Sequence, residues 1–249
     1  MGKSTRFDRR RFVQACLSTV ALAGCNRSKP PLPEEGYLKR YDRAKLVDRR
    51  RRPITAESLQ PGETYVFNYP YRATPCFLLD LGKPTETDVD LETEEGQAYR
   101  WRGGVGPGRS VVSYSAICSH RLTYPAPSVS FISYRDKPVK FKTRAEEEVR
   151  RRDVIYCCSE RSVYDPAAGA RVLGGPAPQP LAAIVLESDG DGTLYATGAY
   201  GGTLFQTFFD KFGFSLELQF VSGRAHDPVR EEAEVVPIAE YSDHLIFCG

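Results

Sequence analysis

The amino-acid sequence predicts an all-β fold built from antiparallel strands, and two observations lead to this class. Tyrosine, phenylalanine, glycine and proline are plentiful, with 14, 13, 21 and 18 copies in 249 residues, which suits a fold rich in strands and turns. The apolar segments are short, and several alternate between apolar and polar residues before a turn signal interrupts them. Hydrophobic residues make up 41% of the chain, so it can bury a core of its own.

Two pairs of these segments predict β-hairpins. Residues 64–69 and 76–81 form the first pair, after a Pro-Gly turn at residues 61–62. Residues 184–186 and 193–197 form the second pair, across the Asp-Gly turn at residues 189–192. A further strand over residues 110–117 ends directly before Cys118.

Other segments are less regular. Residues 129–134, 139–141 and 154–156 look extended. Residues 143–152 predict a short charged helix, because Thr143 and Glu146 have the spacing of a capping box. The Phe-rich stretch at residues 205–220 begins with helical spacing and ends in alternation, which predicts a helix running into a strand.

The charge balance argues against a nucleic-acid-binding protein. The net charge is only +2, although charged residues are 27% of the chain. Short arginine runs at residues 49–52 and 150–152 are interpreted as solvated surface.

The N-terminus has the pattern of an export signal and a lipid anchor. A basic segment precedes the apolar residues 12–22, which are too few to span a bilayer comfortably. The run Arg9-Arg10-Arg11-Phe12 resembles a twin-arginine signal, and Leu22-Ala23-Gly24-Cys25 resembles a bacterial lipoprotein box. We therefore predict a signal over residues 1–24, lipidation of Cys25 and a polar tether over residues 25–50. The alternative is an uncleaved N-terminal helix that serves as the membrane anchor.

The seven cysteines do not form a regular disulfide framework. Three lie in the motifs described next and two in the leader. Cys76 and Cys248 remain, and one hypothesis is that they pair with each other in an oxidising compartment.

Three short motifs in the middle of the chain carry the chemistry. The first is Cys118-Ser119-His120, and the second runs from Cys157 through Glu160 to Ser162 and Tyr164. The third is the glycine- and proline-rich stretch whose members are Gly175, Pro176, Ala177 and Pro178. Together they resemble the two metal-binding loops and the covering loop of a Rieske iron–sulfur protein, of the kind found as a subunit of cytochrome bc complexes. The resemblance extends over residues 110–199 and fades afterwards.

The resemblance implies one 2Fe–2S cluster held by Cys118, His120, Cys157 and the residue at position 160. In the family two cysteines bind one iron and two histidines bind the other. It further implies that the Ser162 hydroxyl bonds a bridging sulfide and the Tyr164 hydroxyl bonds a cysteine sulfur, which stabilises the reduced cluster.

The chain departs from the family at the fourth ligand, because Glu160 stands where the second histidine is expected. Glu160 can bind iron through oxygen, and Cys158 is an alternative ligand of the softer type. A histidine from the tail, His226 or His244, is a third hypothesis, and a fold that binds no cluster is a fourth.

Further departures surround the loops. The disulfide that often joins the two loops in the family is absent, because Thr123 and Ser159 occupy those positions. Arg161 replaces a usual glycine. The segment between the loops, residues 121–156, is longer than usual, and it is either a docking surface or an elaborated loop.

The resemblance therefore implies a Rieske-type antiparallel β-sandwich with a cluster-binding subdomain, an N-terminal signal helix and a C-terminal extension. The expected boundaries are residues 51–202 for the domain, 110–182 for its cluster-binding part and 203–249 for the extension. We expect a tethered protein on the periplasmic side of a bacterial membrane, acting as an electron-transfer component like that of a quinol–cytochrome c reductase. Its expected partners are a quinol oxidase module and a c-type cytochrome or similar acceptor. The alternative is a cluster-free lipoprotein that serves as a binding or assembly module.

Overall fold

The computed structural model describes residues 37–220 and 223–248. The predicted signal, the lipidation site Cys25 and the first part of the predicted tether lie outside these residues. Within them, no helix is long and apolar enough to cross a membrane.

The described part of the chain is mostly strand, so the predicted all-β class is confirmed. The strands are β1 (Leu38–Val47), β2 (Thr64–Asn68), β3 (Pro75–Asp80), β4 (Val89–Glu92), β5 (Ala98–Trp101), β6 (Val111–Ser115), β7 (Ile132–Arg135), β8 (Val139–Lys142), β9 (Glu148–Arg151), β10 (Val154–Cys157), β11 (Ser162–Asp165), β12 (Arg171–Gly174), β13 (Ala183–Ser188), β14 (Leu194–Tyr200), β15 (Glu232–Glu234) and β16 (Val236–Pro237). The α-helices are α1 (Thr203–Gln219) and α2 (Ile238–Tyr241), and short 3₁₀ turns span Ala56–Ser58 and Pro166–Ala168.

A large sheet of eight strands forms the centre of the molecule, in the order β15-β1-β14-β13-β6-β3-β2-β16. Both predicted hairpins are confirmed within it, as the antiparallel pairs β2–β3 and β13–β14. Every residue of β3 is buried, because the sheet is covered on both faces. Leu78 faces the core that includes Phe205 and Phe208 of α1, whereas Phe77 faces the core shared with the small sheet.

The small sheet has four antiparallel strands in the order β12-β11-β10-β7, and it carries the second motif. Its residues Ile132, Ile155 and Tyr164 share one buried cluster with Phe77 and Tyr114 of the large sheet. The two sheets therefore pack on a common core, and the hairpin β8–β9 lies beside the small sheet with its own apolar contacts.

Two local predictions were wrong. The helix expected over residues 143–152 is instead a turn and strand β9, because Glu148–Arg151 pairs with β8 and Glu146 takes a positive φ of 61°. The strand expected after Phe212 is instead the continuation of α1 to Gln219. Phe214 and Leu218, which produced the alternating pattern, are exposed on this helix.

The tether prediction was also wrong from Leu38 onward. Strand β1 pairs with β14, and its residues Ala44 and Leu46 are fully buried. Most of the charged residues of β1 lie on exposed positions, and for this reason the sequence was interpreted as a polar tether and not as a strand.

The residues after α1 belong to the same body as the rest. Strand β15 pairs with β1 in parallel, and β16 pairs with β2. The last segment, residues 244–248, runs beside Ser130, whose amide donates to the His244 carbonyl and whose carbonyl accepts from Ile246. The C-terminal extension is thus part of the sheet system and also closes over the segment that leads to β7.

Candidate metal centre

The first motif loop follows β6 and is closed by its own backbone. The Cys118 amide donates to the Thr123 carbonyl at 2.8 Å, and the Leu122 amide donates to the Cys118 carbonyl at 2.9 Å. Leu122 adopts a positive φ of 60°, which turns the chain back after His120. This turn leaves Cys118 fully buried and His120 half-buried.

The second motif loop is the four-residue turn between β10 and β11. Cys157 ends β10 and lies opposite Ser162, the first residue of β11. The turn itself holds Cys158, Ser159, Glu160 and Arg161. Cys157 and Ser162 are fully buried, whereas Glu160 and Arg161 are exposed.

The fold brings Cys118 and Cys157 together, although 38 positions separate them in the sequence. The two thiols form a hydrogen bond, and this bond is the largest cause of the pKa shift of each. It lowers the pKa of Cys118 to about 6 and raises the pKa of Cys157, because the Cys157 thiol donates its proton to the Cys118 sulfur. A buried thiol pair that gives up one proton readily is a suitable donor set for iron.

Tyr164 is aimed at this pair. Its hydroxyl lies 3.2 Å from Cys118 Sγ and 3.1 Å from Ser119 Oγ, and it accepts from the Ser119 amide at 3.3 Å. Ser119 Oγ donates its only proton to the Gln179 carbonyl at 2.7 Å. The Tyr164 proton is therefore available to the Cys118 sulfur, and burial raises the pKa of Tyr164 so that it keeps this proton.

Two buried polar atoms near the thiols have no hydrogen-bond partner among the described residues. They are Ser162 Oγ and His120 Nδ1. A buried hydroxyl or imidazole nitrogen without a partner is costly, by about 1–3 kcal/mol. Both atoms belong to groups that the resemblance assigns to a cluster, so a bound cluster would satisfy them.

The covering loop closes the site from the side of β12. Gly175 has a positive φ of 78°, and a side chain there would collide with the carbonyl of Arg161. Ala177 is buried, and its carbonyl accepts from Arg144 Nη2 at 2.9 Å. Pro176 and Pro178 flank this residue, as in the motif.

Glu160 does not join the buried donors. Its side chain is 44% exposed and forms an ion pair with Arg121, with Oε1 and Nε 3.6 Å apart. Arg121 follows His120, so this ion pair joins the two motif loops. Since Thr123 and Ser159 provide no disulfide there, Arg121 and Glu160 supply a weaker link between the loops.

Cys158 forms a disulfide with Cys248, across 90 positions of sequence. The alternative in which Cys158 binds iron therefore disagrees with this structure, because a ligand must be a free thiolate. The hypothesis that Cys76 pairs with Cys248 was wrong, since Cys76 is a buried free thiol that donates to the Tyr69 carbonyl.

The tail histidines have other positions. His226 stacks on Phe209 with ring centroids 3.8 Å apart, and its Nδ1 lies 3.2 Å from Glu217. His244 lies in the C-terminal segment beside Ser130. Neither contact is with the motif loops.

Three donors thus fit a 2Fe–2S cluster by type and placement: Cys118, Cys157 and His120. The described residues contain no group of three or more His, Cys, Asp and Glu side chains gathered in the manner of a single-ion site. The expected fourth donor, Glu160, is exposed and does not point toward the other three.

Sequence reasoning missed several residues of this site. Ser119 and Gln179 fix the Tyr164 hydroxyl, and Asp165 accepts from Arg151 Nη2 at 2.7 Å while capping the turn that follows β11. Asp165 ends the Ser-Val-Tyr-Asp motif, but no role was predicted for it from the sequence.

Cysteines from two separate loops, a histidine beside one of them and a tyrosine hydroxyl at a cysteine sulfur are the arrangement that the resemblance to Rieske proteins implies, except that the second loop has no histidine. The chain is similar to the iodate reductase subunit IdrB of Pseudomonas sp. (strain SCT), with 25% identity over 200 residues, or 80% of this chain and 83% of that protein. It is also similar to the soluble domain of the Rieske protein II (soxF) from Sulfolobus acidocaldarius, with 25% identity, a TM-score of 0.41 and coverage of 64% of this chain and 78% of that one. No protein-family model matches the chain.

Proposed function

We propose that this protein is a Rieske-type 2Fe–2S protein that carries single electrons. The observation that carries the proposal is the Tyr164 hydroxyl at 3.2 Å from Cys118 Sγ, in a buried site where the Cys157 thiol donates a hydrogen bond to the Cys118 sulfur. A structural core position would not need a tyrosine proton directed at a thiolate. When bound, the cluster supplies one-electron chemistry, and this chain supplies the donors, the hydrogen bonds and the exclusion of water.

We further propose that the protein works as a subunit, tethered to the periplasmic side of a bacterial membrane through Cys25 or its signal helix. The twin-arginine and lipoprotein-type motifs support this location, and the similarity to an iodate reductase subunit supports work beside a partner oxidoreductase. Electrons would pass between a donor such as a quinol oxidase module and an acceptor such as a c-type cytochrome.

The direct test is an EPR spectrum of the dithionite-reduced protein together with an iron count. The protein must be produced with its own signal and with cluster-assembly machinery. We expect two irons per chain and a rhombic signal with a low average g, because imidazole ligation of one iron produces such a signal and also raises the potential. A colourless, iron-free protein would overturn the proposal.

Glu160 supports a second candidate function, the cluster-free binding module. Its carboxylate pairs with Arg121 and does not join Cys118, Cys157 and His120. This candidate predicts that Cys118→Ser leaves binding of the protein's partner unchanged.

Glu160→Gln and Arg121→Gln together test whether Glu160 binds iron or only pairs with Arg121 in the cluster-containing protein. If Glu160 is the fourth ligand, Glu160→Gln will change the EPR spectrum and lose iron, whereas Arg121→Gln will keep both, because a neutral amide is a poor iron ligand. If Glu160 serves only the ion pair, the two variants will give the same unchanged spectrum. Glu160→His should then raise the potential by supplying the second imidazole.

Tyr164→Phe tests the tuning of the site by hydrogen bonding. A hydrogen bond to a charged group is worth about 1.5–3 kcal/mol, and only the part that differs between the redox states changes the potential. A difference of about 1 kcal/mol corresponds to ~40 mV for one electron, and the variant should be lower by about this amount. The measurement is a redox titration followed by EPR.

Tyr134→Phe is the matched control for this titration. Tyr134 lies in the same small sheet, but its hydroxyl donates to Asp153 and not to a thiol. An equal fall in potential for both variants would contradict the assigned role of Tyr164.

A further inference from the structure

An open groove lies beside the covering loop. Its volume is about 840 Å³. One wall is the β8–β9 hairpin, and the other wall contains Gly175 and Pro176; the nearly buried Phe141 and Tyr156 also line the groove. The hairpin belongs to the long segment between the two motif loops, for which the sequence offered no single role.

The groove carries an excess of positive charge. Lys140 and Lys142 are each matched by a carboxylate of the same hairpin, with Nζ–O distances of 2.9 Å to Glu148 and 3.4 Å to Glu146. The other two cations that line it have no such match. Arg144 donates to the Ala177 carbonyl, and Arg161 has no carboxylate within ion-pair distance among the described residues.

Residues that line the groove also contact the segments around the candidate centre. Arg161 directly precedes Ser162, and its backbone is held in a positive φ of 60° beneath Gly175. Arg144 fixes the tip of the hairpin to Ala177 of the covering loop. A molecule in the groove would therefore lie against the two segments that enclose the thiols.

We infer that this groove is a docking site for an acidic segment of a partner protein. The unmatched Arg161 and Arg144 provide charge complementarity, and a volume of about 840 Å³ is more than a small inorganic anion fills. That the partner exchanges electrons rests on the proposed function, whereas the preference for an acidic segment rests on the groove alone.

The test measures the binding of a fluorescein-labelled oligoglutamate peptide with interspersed tyrosines, by fluorescence anisotropy. The full chain is used, with and without its cluster, at about 20 mM and about 200 mM salt, because screening must weaken an electrostatic complex. We expect Arg161→Gln to weaken binding by about threefold to tenfold, the effect of one unmatched charge at an interface. Glu146→Gln should tighten binding by about twofold, because it releases Lys142 from its carboxylate.

Arg100→Gln is the matched control. It removes the same charge from an exposed arginine of β5 that does not line the groove and pairs with Asp90. Equal weakening by Arg161→Gln and Arg100→Gln would overturn the inference, since it would mean attraction to the whole surface. Absence of binding at low salt, or full displacement of the peptide by millimolar inorganic phosphate, would overturn it as well.

The outcome for the groove is separable from the outcome for the cluster. Peptide binding by iron-free protein that never yields an EPR signal would support the docking site and defeat the electron-transfer proposal. A normal cluster signal without peptide binding would support the electron-transfer proposal and defeat the docking site.

Discussion

Replacing Cys118 by serine will give a protein that contains no iron and shows no EPR signal after reduction. Cys118 and Cys157 share a buried site and a hydrogen bond, so the loss of either leaves a single thiolate for an iron that requires two. A serine hydroxyl has a much higher pKa than a thiol and is a harder donor, so it does not replace the thiolate. Cys157→Ser should behave identically, and iron analysis of the purified chains is the measurement.

Cys76→Ser provides the control for removing a buried thiol. Cys76 is fully buried in β3 and lies outside the motif loops, where it donates to the Tyr69 carbonyl. This variant should lose some stability and keep its full iron content. Retention of iron by Cys118→Ser would contradict the assignment of the centre.

The resemblance of the motifs to those of Rieske proteins implied that Cys118, Cys157 and Tyr164 would meet, and the structure brings them together. The motif places Cys118 after one strand and Cys157 at the end of another, and a sheet system brings such strand ends together. The contact of Tyr164 with Cys118 Sγ follows from the same motif, because Tyr164 lies two residues after Ser162 on β11. The hairpins β2–β3 and β13–β14 were predictable because each joins strands that are close in sequence through turn residues that can be recognised.

The direction of Glu160 was not predictable in this way. Register places position 160 in the turn, but the side chain is directed by a neighbour in the other loop, Arg121. Contacts with a neighbouring element also determined the conformation of residues 143–152. Its capping-box spacing favours a helix by a small amount, whereas pairing with β8 lets Phe141 and Val149 enter an apolar cluster.

The connection between Cys158 and Cys248 was beyond sequence reasoning for a different reason. Seven cysteines allow many pairings, and only the path of the last segment along Ser130 brings residue 248 to the second loop. Arg135 supports this path, because its guanidinium donates to the Ile246 carbonyl at 2.8 Å and lies 4.1 Å from the Phe247 ring centroid. The second loop is thus held to the C-terminus by a covalent bond, and to the first loop by the weaker Arg121–Glu160 ion pair.

Removing this disulfide is expected to cause the largest loss of stability of any surface-proximal change. The bond closes a loop of 90 positions, for which the chain-entropy relation gives about 4–5 kcal/mol. Cys158→Ser and Cys248→Ser should each lower the free energy of unfolding by about 3–5 kcal/mol, measured by urea denaturation of the oxidised protein. The double variant should lose no more than either single one, because both remove the same bond.

Reduction by dithiothreitol supplies the control for the bond itself. It should destabilise the native protein by the same amount and leave both single variants unchanged. Additive losses in the double variant, or single losses below about 1 kcal/mol, would mean that the bond does not contribute in solution.

The same two variants also test whether Cys158 only holds the second loop in place or can bind the cluster when its thiol is free. Cys248→Ser leaves a free thiol at position 158, directly beside Cys157, whereas Cys158→Ser leaves none in that loop. If the freed Cys158 thiolate enters the cluster, only Cys248→Ser will raise the average g and lower the potential, because thiolate donates more charge than imidazole or carboxylate. If both variants keep the same spectrum and lose iron at the same faster rate, the disulfide acts on the cluster only by holding the second loop in place.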